Sequence, residues 1–326
     1  MKYCFIINRL AGKGAFTEQV LKSIEDVCVR SDANYEVFMS DDIDATKDYV
    51  ASVANELGED ERATFIACGG DGTICKTVVA VMALPEEQRE RAGVGVIPMG
   101  TGNDFVSNFN NKEFFFDIEA QLDATPYTID LLKCNDIYSI NMVNIGFDCQ
   151  VVCKKEEIGR KALVPRKLAY IFSLVITLIR KPGVIMEFSA DGKEKIKKEL
   201  LLTTFANGAF CGGGFNSNPK AALDDGMIDC ISVKDISRAK FVSLVGSYKK
   251  GLHLGEKFKK IIDHFKCTTA DMYFDEETAI SVDGEIIRAK ELHISVAEKA
   301  LTFMLPKGVT AVKKMVEEAV REPVLQ

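Results

Sequence analysis

The sequence predicts two domains of different class: an N-terminal α/β domain with a parallel sheet, then a C-terminal antiparallel β-sandwich. Three observations carry this reading. The first third of the chain alternates short apolar runs with stretches of helical spacing. From about Thr125 onward short strand-like runs dominate, separated by turns such as Asp191-Gly192 and Asp283-Gly284. At 326 residues the chain is long for one core and comfortable for two. The expected boundaries are 1–125 and 126–305, with a C-terminal helix over about 306–322 that can pack back on the first domain.

Tyr3 to Ile7 is a short apolar run, as expected of a buried strand, and Phe16, Val20, Leu21, Ile24, Val27 and Cys28 then recur at helical spacing. Tyr35 to Met39 reads as the second strand, followed by a helix begun near Asp44 that carries Tyr49, Val50, Val53, Ala54 and Leu57. Thr64 to Cys68, a helix over Thr73 to Leu84, and Val94 to Ile97 complete the alternation. Such a sheet binds ligands beyond the carboxyl ends of its strands. The second domain reads as strands at 128–133, 137–144, 184–190, 200–206, 227–233, 272–275, 279–282 and 291–296. Helical stretches lie near 166–180 and 237–251, and another begins at Thr310.

Composition narrows the function classes. A formal net charge of -7 argues against a general nucleic-acid binder. None of the ten cysteines forms a Cys-x-x-Cys pair, so a zinc ribbon is not expected, and their apolar surroundings predict buried free thiols in a reducing cytosol. No secretory leader is apparent after MKYCFIIN. The longest apolar stretch, Leu168 to Ile179, falls short of the roughly 20 residues that span a bilayer. The expected location is cytoplasmic, with peripheral membrane association. Lys154, Lys155, Arg160, Lys161, Arg166, Lys167, Arg180 and Lys181 flank that apolar stretch. They suit an anionic membrane surface, or else are the solvated face of a helix covering a sheet.

Glycine-rich segments stand at three strand ends. Gly69-Gly70-Asp71-Gly72-Thr73 follows a strand and opens a helix. Its glycines let the backbone approach a phosphate, and the helix N-terminus faces the anion. The alternative is a tight turn with a side-chain cap. Asp71 among such donors suits a metal, a proton or an ordered water. Pro98-Met99-Gly100-Thr101-Gly102-Asn103-Asp104-Phe105 offers further donors, although Asn103 and Asp104 can equally cap a helix. Asn8-Arg9-Leu10-Ala11-Gly12-Lys13-Gly14 matches neither a Walker loop nor GxGxxG, and Lys13 is either a phosphate contact or a solvated lysine. In the second domain, Leu223-Asp224-Asp225-Gly226-Met227-Ile228-Asp229 suits an oxygen-ligand cation or a polar hairpin turn. Asp283-Gly284 is the ordinary hairpin dipeptide.

Taken together and in this order, GGDGT, P-x-G-T-x-N-D, N-P…D-D-G and V-D-G-E resemble the diacylglycerol kinase catalytic-domain family, which includes bacterial lipid kinases and sphingosine and ceramide kinases. The resemblance covers about residues 1 to 305. It implies a two-domain fold like that of NAD kinases and diacylglycerol kinases, with ATP between the lobes. Asn8, Arg9, Gly12, Ser40, Gly69, Gly70, Asp71, Gly72, Thr73, Thr101, Asn103 and Asp104 would lie around the nucleotide. Asp225, with the carbonyls of Ala222 and Met227, would hold a structural Mg²⁺ linked through water to Asp71. Asp283 and Glu285 would lie near the transferred phosphate as candidate bases, ranked above Asp71. One departure stands in the first loop. The family pattern N-P-x-S-G reads Asn8-Arg9-Leu10-Ala11-Gly12 here, without the proline and the serine hydroxyl.

The expected activity is therefore transfer of the γ-phosphate of ATP, with Mg²⁺, to a lipid hydroxyl, first of all that of diacylglycerol, at a membrane surface. Rival readings are a kinase of another lipid, a kinase of NAD, and a nucleotide-binding regulator without turnover. A homodimer is compatible with the sequence.

Overall fold

The computed structural model describes residues 1–9, 11, 17–147, 149 and 183–312. They fall into two units. The first combines described residues of Met1–Leu131 with Phe210–Gly214 and the chain from Ala297 onward; the second holds those of Leu132–Ala209 and Phe215–Val296.

In the first unit, strands β1 (Lys2–Ile7), β2 (Asn34–Met39), β3 (Ala63–Gly69) and β4 (Ala92–Pro98) alternate with helices α1 (Thr17–Arg30), α2 (Ile43–Glu56), α3 (Asp71–Met82) and the short α4 (Glu86–Arg89). All residues of β3 and β4 are buried, which is why they read as continuous apolar runs rather than alternating ones. The sheet order is β4-β3-β1-β2, and every pairing is parallel. Phe5, Ile7, Ile66, Cys68 and Ile97 form one face of it, packed against Ile24 and Cys28 of α1. Asp42 starts α2 by accepting the Ala45 N–H at 2.8 Å.

Two 3₁₀ turns (Phe105–Asn108 and Lys112–Phe116) flank β5 (Phe109–Asn110); α5 (Ile118–Leu122) and β6 (Thr125–Cys134) follow. The distant end of the chain completes this unit. Phe303 pairs with Val94 of β4 in parallel, and its ring lies 5.2 Å from that of Phe105 and 5.5 Å from that of Phe109. Thr310–Ala311 then pairs antiparallel with β5.

The second unit contains β7 (Ile137–Ser139), β8 (Met142–Gly146), β9 (Val184–Ala190), β10 (Ile196–Ala206), β11 (Ile228–Lys234), α6 (Arg238–Lys249), β12 (Ile262–Cys267), β13 (Thr269–Val282) and the first part of β14 (Glu285–Leu305). Two strands turn this sheet back on itself. β10 pairs with β9 through Ile196–Leu200 and with β8 through Leu202–Ala206. β13 pairs with β9 near Met272 and with β8 near Ser281. The enclosed core includes Val143, Ile145, Phe188, Phe205, Cys230 and Met272. On the opposite face Phe241, Leu244 and Tyr248 of α6 cover Leu202, Ile231 and Val233. The domain is the antiparallel β-sandwich that the sequence predicts. The expected free thiols are found at nine cysteines, of which Cys75 and Cys211 are half-buried and the others buried. Among the described residues no helix is long and apolar enough to cross a membrane.

Three strand assignments differ. The run 137–144 is two strands, because the N–H groups of Ile140 and Asn141 turn toward the Asp283 carboxylate instead of a neighbouring strand. The runs 272–275 and 279–282 are one strand with a register shift between Tyr273 and Thr278. The run 291–296 is the middle of the 21-residue β14. The helix expected from Thr310 begins instead as the strand pair with β5, and 313–322 lies outside the described residues.

Candidate active site

Parallel pairing sets the strand ends of the first unit in a row. Ser40 N–H donates to the Ile7 carbonyl at 3.1 Å, Asn8 N–H to Cys68 at 3.1 Å, and Met99 N–H to Gly69 at 2.7 Å. Asn8, at the start of the first segment, and the two glycine loops after β3 and β4 therefore share the carboxyl edge of one sheet. The two loops touch through their backbones: a Cβ on Gly100 would lie 2.4 Å from the Gly70 Cα, and one on Gly69 would lie 2.1 Å from Thr73 Oγ1. A side chain at Gly100 would force the two loops apart, and one at Gly69 would displace Thr73 within its own loop.

Gly70 caps α3 without a side-chain acceptor. The Thr73 N–H turns back to the Gly70 carbonyl at 2.9 Å, which leaves the N–H groups of Asp71 and Gly72 and the positive end of the helix for an incoming anion. Gly72 is exposed, and a Cβ there would meet nothing within 4 Å. Thr73 is buried, and its Oγ1 accepts from Asn8 Nδ2 at 3.5 Å, tying the first loop to the second. Ser40 is held by its own turn, with its Oγ accepting from Asp42 N–H at 3.0 Å. Arg9 is exposed, with Nε 2.8 Å from Met39 Sδ. Gly12, like Lys13 and Gly14, lies outside the described residues.

Asp71 is the charged group of this edge. Its Oδ1 accepts the Phe105 N–H at 3.1 Å. Burial, with the Asp104 carboxylate beside it, pushes its carboxyl up to about 6 against the opposing backbone hydrogen bonds of Phe105, Asp104 and Asn103. A Cβ on Gly102 would meet both carboxylates, at 2.9 Å for Asp71 Oδ2 and 3.4 Å for Asp104 Oδ2. A carboxylate so destabilised as an anion suits a proton or a phosphate-bound cation. Asp104 and Asn103 shape the loop. Asp104 accepts the N–H groups of Gly214 at 2.7 Å and Gly213 at 2.8 Å. Asn103 takes φ 54° and accepts the Gly100 N–H at 2.9 Å. Thr101 is exposed.

In the second unit the two candidate bases differ. Asp283 accepts from Ser139 Oγ at 2.8 Å and from the N–H groups of Ile140, Asn141 and Met142 at 2.8, 3.1 and 2.9 Å. Burial raises its carboxyl against these bonds. This geometry gives it a structural task. With both oxygens engaged by its own chain, Asp283 anchors the turn between β7 and β8 rather than standing ready for a substrate proton. Glu285, two residues on, is exposed and forms no hydrogen bond or ion pair among the described residues.

The residues of the expected Mg²⁺ set lie in the second unit. Asp225 Oδ2 lies 2.5 Å from the Lys266 ammonium, and Oδ1 accepts the Met227 N–H at 3.1 Å. A lysine thus stands against the carboxylate of the expected set of Asp225, Ala222 and Met227. No cluster of three His, Cys, Asp or Glu side chains stands among the described residues. Next to this pair, the buried Asn218 donates to Asp229 Oδ1 at 2.9 Å and accepts from Thr204 Oγ1 at 2.7 Å, while His264 Nε2 meets Asp229 Oδ2 at 2.8 Å. Lys266 and His264 were missed by sequence reasoning. The stretch 262–267 gives only a weak signal, since Asp263 and His264 are adjacent and break the strand alternation.

Comparison with known proteins matches both units. Residues 2–134 match the diacylglycerol kinase catalytic domain, and residues 141–305 match the YegS C-terminal NAD kinase beta sandwich-like domain. Among curated relatives, "Probable lipid kinase YegS-like" of Shewanella frigidimarina is 27% identical over 250 residues, 73% of this chain and 75% of that one. Its namesake in Yersinia pestis is 27% identical over 252 residues, 74% of this chain and 79% of that one. A crystal structure of "a putative diacylglycerol kinase" from Bacillus anthracis shares the fold, with a TM-score of 0.76 at 22% identity over 95% of this chain and 96% of that chain. A GGDGT loop packed on a second glycine loop, followed by a sandwich of this topology and matched along both units, makes this chain a member of the diacylglycerol kinase catalytic-domain family of the YegS-like type.

Proposed function

We propose that the chain is a lipid kinase that transfers the γ-phosphate of ATP to a lipid hydroxyl, with diacylglycerol, yielding phosphatidic acid, the first acceptor to test. The observation that carries this reading is the open α3 N-terminus beside Asp71, where two glycine loops pack backbone to backbone. Those loops hold the triphosphate through N–H groups and a helix dipole. Phosphoryl transfer asks for little more than positioning and charge stabilisation. Asp71 is the carboxylate suited to face a nucleotide-bound magnesium ion, which would supply neutralisation of phosphate charge. Glu285 takes the proton of the attacking hydroxyl as its oxygen bonds to the γ-phosphorus and ADP leaves. The relatives' names, which say lipid kinase, support the acceptor class. The acceptor is met at a membrane surface by a peripheral enzyme.

The test is transfer from radiolabelled ATP to diacylglycerol, phosphatidylglycerol, a sphingoid base and NAD, the lipids in detergent micelles. Label in one of the lipids, lost in Asp71→Asn and Glu285→Gln, is the expected result. Label in NAD alone, or none in any acceptor while ATP binds, overturns the proposal.

A further inference from the structure

The chain is acidic overall, with a formal net charge of -7, yet residues 234–260 carry eight lysines and arginines against two acidic residues, Asp235 and Glu256. These residues form the end of β11, α6 and the loop after it, one layer over the outer face of the sandwich. Lys240, Lys249, Lys250, Lys257, Lys259 and Lys260 are all exposed. Local pairing consumes little of this charge. Lys259 meets Glu256 at 3.1 Å and Lys234 meets Asp263 at 3.7 Å, but Lys240, Lys250 and Lys260 form no ion pair among the described residues.

Two further features distinguish this face from a merely solvated one. An open cavity of about 610 Å³ lies at the start of α6, lined by Lys234, Lys240 and Lys260 against a single carboxylate, Asp235, with the hydroxyl-bearing Ser237 and Ser243. In the same layer two large apolar side chains project into solvent: Val242 is 62% exposed and Leu252 63%. Clustered lysines, a recess of headgroup size and protruding aliphatic residues are the complement of an anionic lipid surface.

We infer that this layer of the second unit is a membrane-docking surface for anionic phospholipid headgroups. It rests on the proposed action on a lipid, and it is separate from the basic stretch at 154–181, which lies outside the described residues. The lysines draw the protein to the bilayer over about a Debye length. The cavity receives a headgroup phosphate, while Val242 and Leu252 enter the interface. Each lysine near an anionic surface strengthens partitioning about fivefold.

Co-sedimentation with vesicles tests this on the full chain. Wild type is expected to bind mixed phosphatidylglycerol–phosphatidylcholine vesicles, to release them as salt rises, and to ignore pure phosphatidylcholine. The variant Lys240→Gln/Lys250→Gln/Lys260→Gln should bind on the order of 100-fold more weakly. Val242→Ser should weaken binding without changing its salt dependence. Both should keep wild-type turnover on micellar acceptor, since none of these residues belongs to the phosphate loops or the Glu285 turn. Equal vesicle binding by the triple variant overturns the inference. So does a change confined to self-association, which would make this face a contact between copies. Failure of the kinase reading is distinct: micellar lipid would stay unlabelled whatever the vesicles show.

Discussion

Asp71 and Asp283 both precede a glycine, and both lie in the motifs that resemble a kinase, yet their surroundings are opposite. Asp71 opens a helix whose cap is a bare glycine; a second carboxylate stands beside it, and burial lifts it to about 6. Asp283 sits in a hairpin at φ 48° and collects four hydrogen bonds from residues 139–142. Burial raises both carboxyls, but the first stands beside another carboxylate while the second is wrapped by its own fold. A motif match does not separate them; the neighbouring Asp104 carboxylate on one side and the Ser139–Met142 turn wrapped around the other do.

Substitutions sharpen the contrast. The largest effect is expected on turnover in Asp71→Asn, a loss of about 1,000-fold, equivalent to roughly 4 kcal/mol of transition-state stabilisation. The same variant should be more stable than wild type at neutral pH. The folded protein binds the Asp71 proton more tightly than the unfolded chain, so the stabilisation from this group is full below 3.8 and lost as pH rises through about 6. Removing the carboxylate recovers about 2 kcal/mol above that range, measurable by urea unfolding. A variant less stable than wild type at pH 8 breaks the comparison.

Asp283→Ala should show the reverse pattern. Four donors lose their acceptor, destabilising the second unit by about 3 kcal/mol, so denaturation should reveal a loss that assays at low temperature partly hide. If Asp283→Ala instead folds like wild type and is inactive, Asp283 is a catalytic group after all. Lys266→Met should cost about 1–2 kcal/mol by leaving Asp225 without its counter-charge. Added Mg²⁺ should raise the melting temperature of that variant and leave nucleotide-free wild type unchanged; a wild-type rise would restore a metal to this site.

The smallest effect belongs to a third Asp-Gly turn. Asp191 accepts from Thr268 N–H at 2.8 Å, Thr268 Oγ1 at 2.9 Å and Thr269 N–H at 3.0 Å. Burial opposes these bonds, but they prevail and hold its carboxyl below the usual value. Its contribution is present above pH 3.8 and fades as pH falls through its depressed folded value. Asp191→Ala should lower stability by under about 1 kcal/mol at pH 7, as expected of an exposed turn, and the difference should vanish in acid.

The parallel sheet and its glycine loops were legible because their signals are local: an apolar run, a glycine break, a helical period. The strand end at Ile7, the turn at Gly69 and the turn at Met99 then had to share one edge once the strands were read as parallel. What stayed hidden is set by distant partners. Nothing near 140 announces that its N–H groups belong to residue 283, and Lys266 stands 41 residues from Asp225. The ends of β14 were missed for a related reason. Its exposed and half-buried positions hide the strand pattern before Leu292, and its final stretch turns apolar only because it enters another core.

That final stretch has a consequence for the order in which the protein can be made. Phe303, whose ring completes the cluster of Phe105, Phe109 and Phe115, leaves the ribosome 188 to 198 residues after them. The nucleotide-binding half is thus begun first and finished last. During synthesis β4 must wait with an unpaired edge while the entire sandwich is translated, a long-range closure of the kind that slows folding and invites misassembly. A fragment ending near residue 131 would keep every glycine loop and still lack the strand that seals the sheet beneath them.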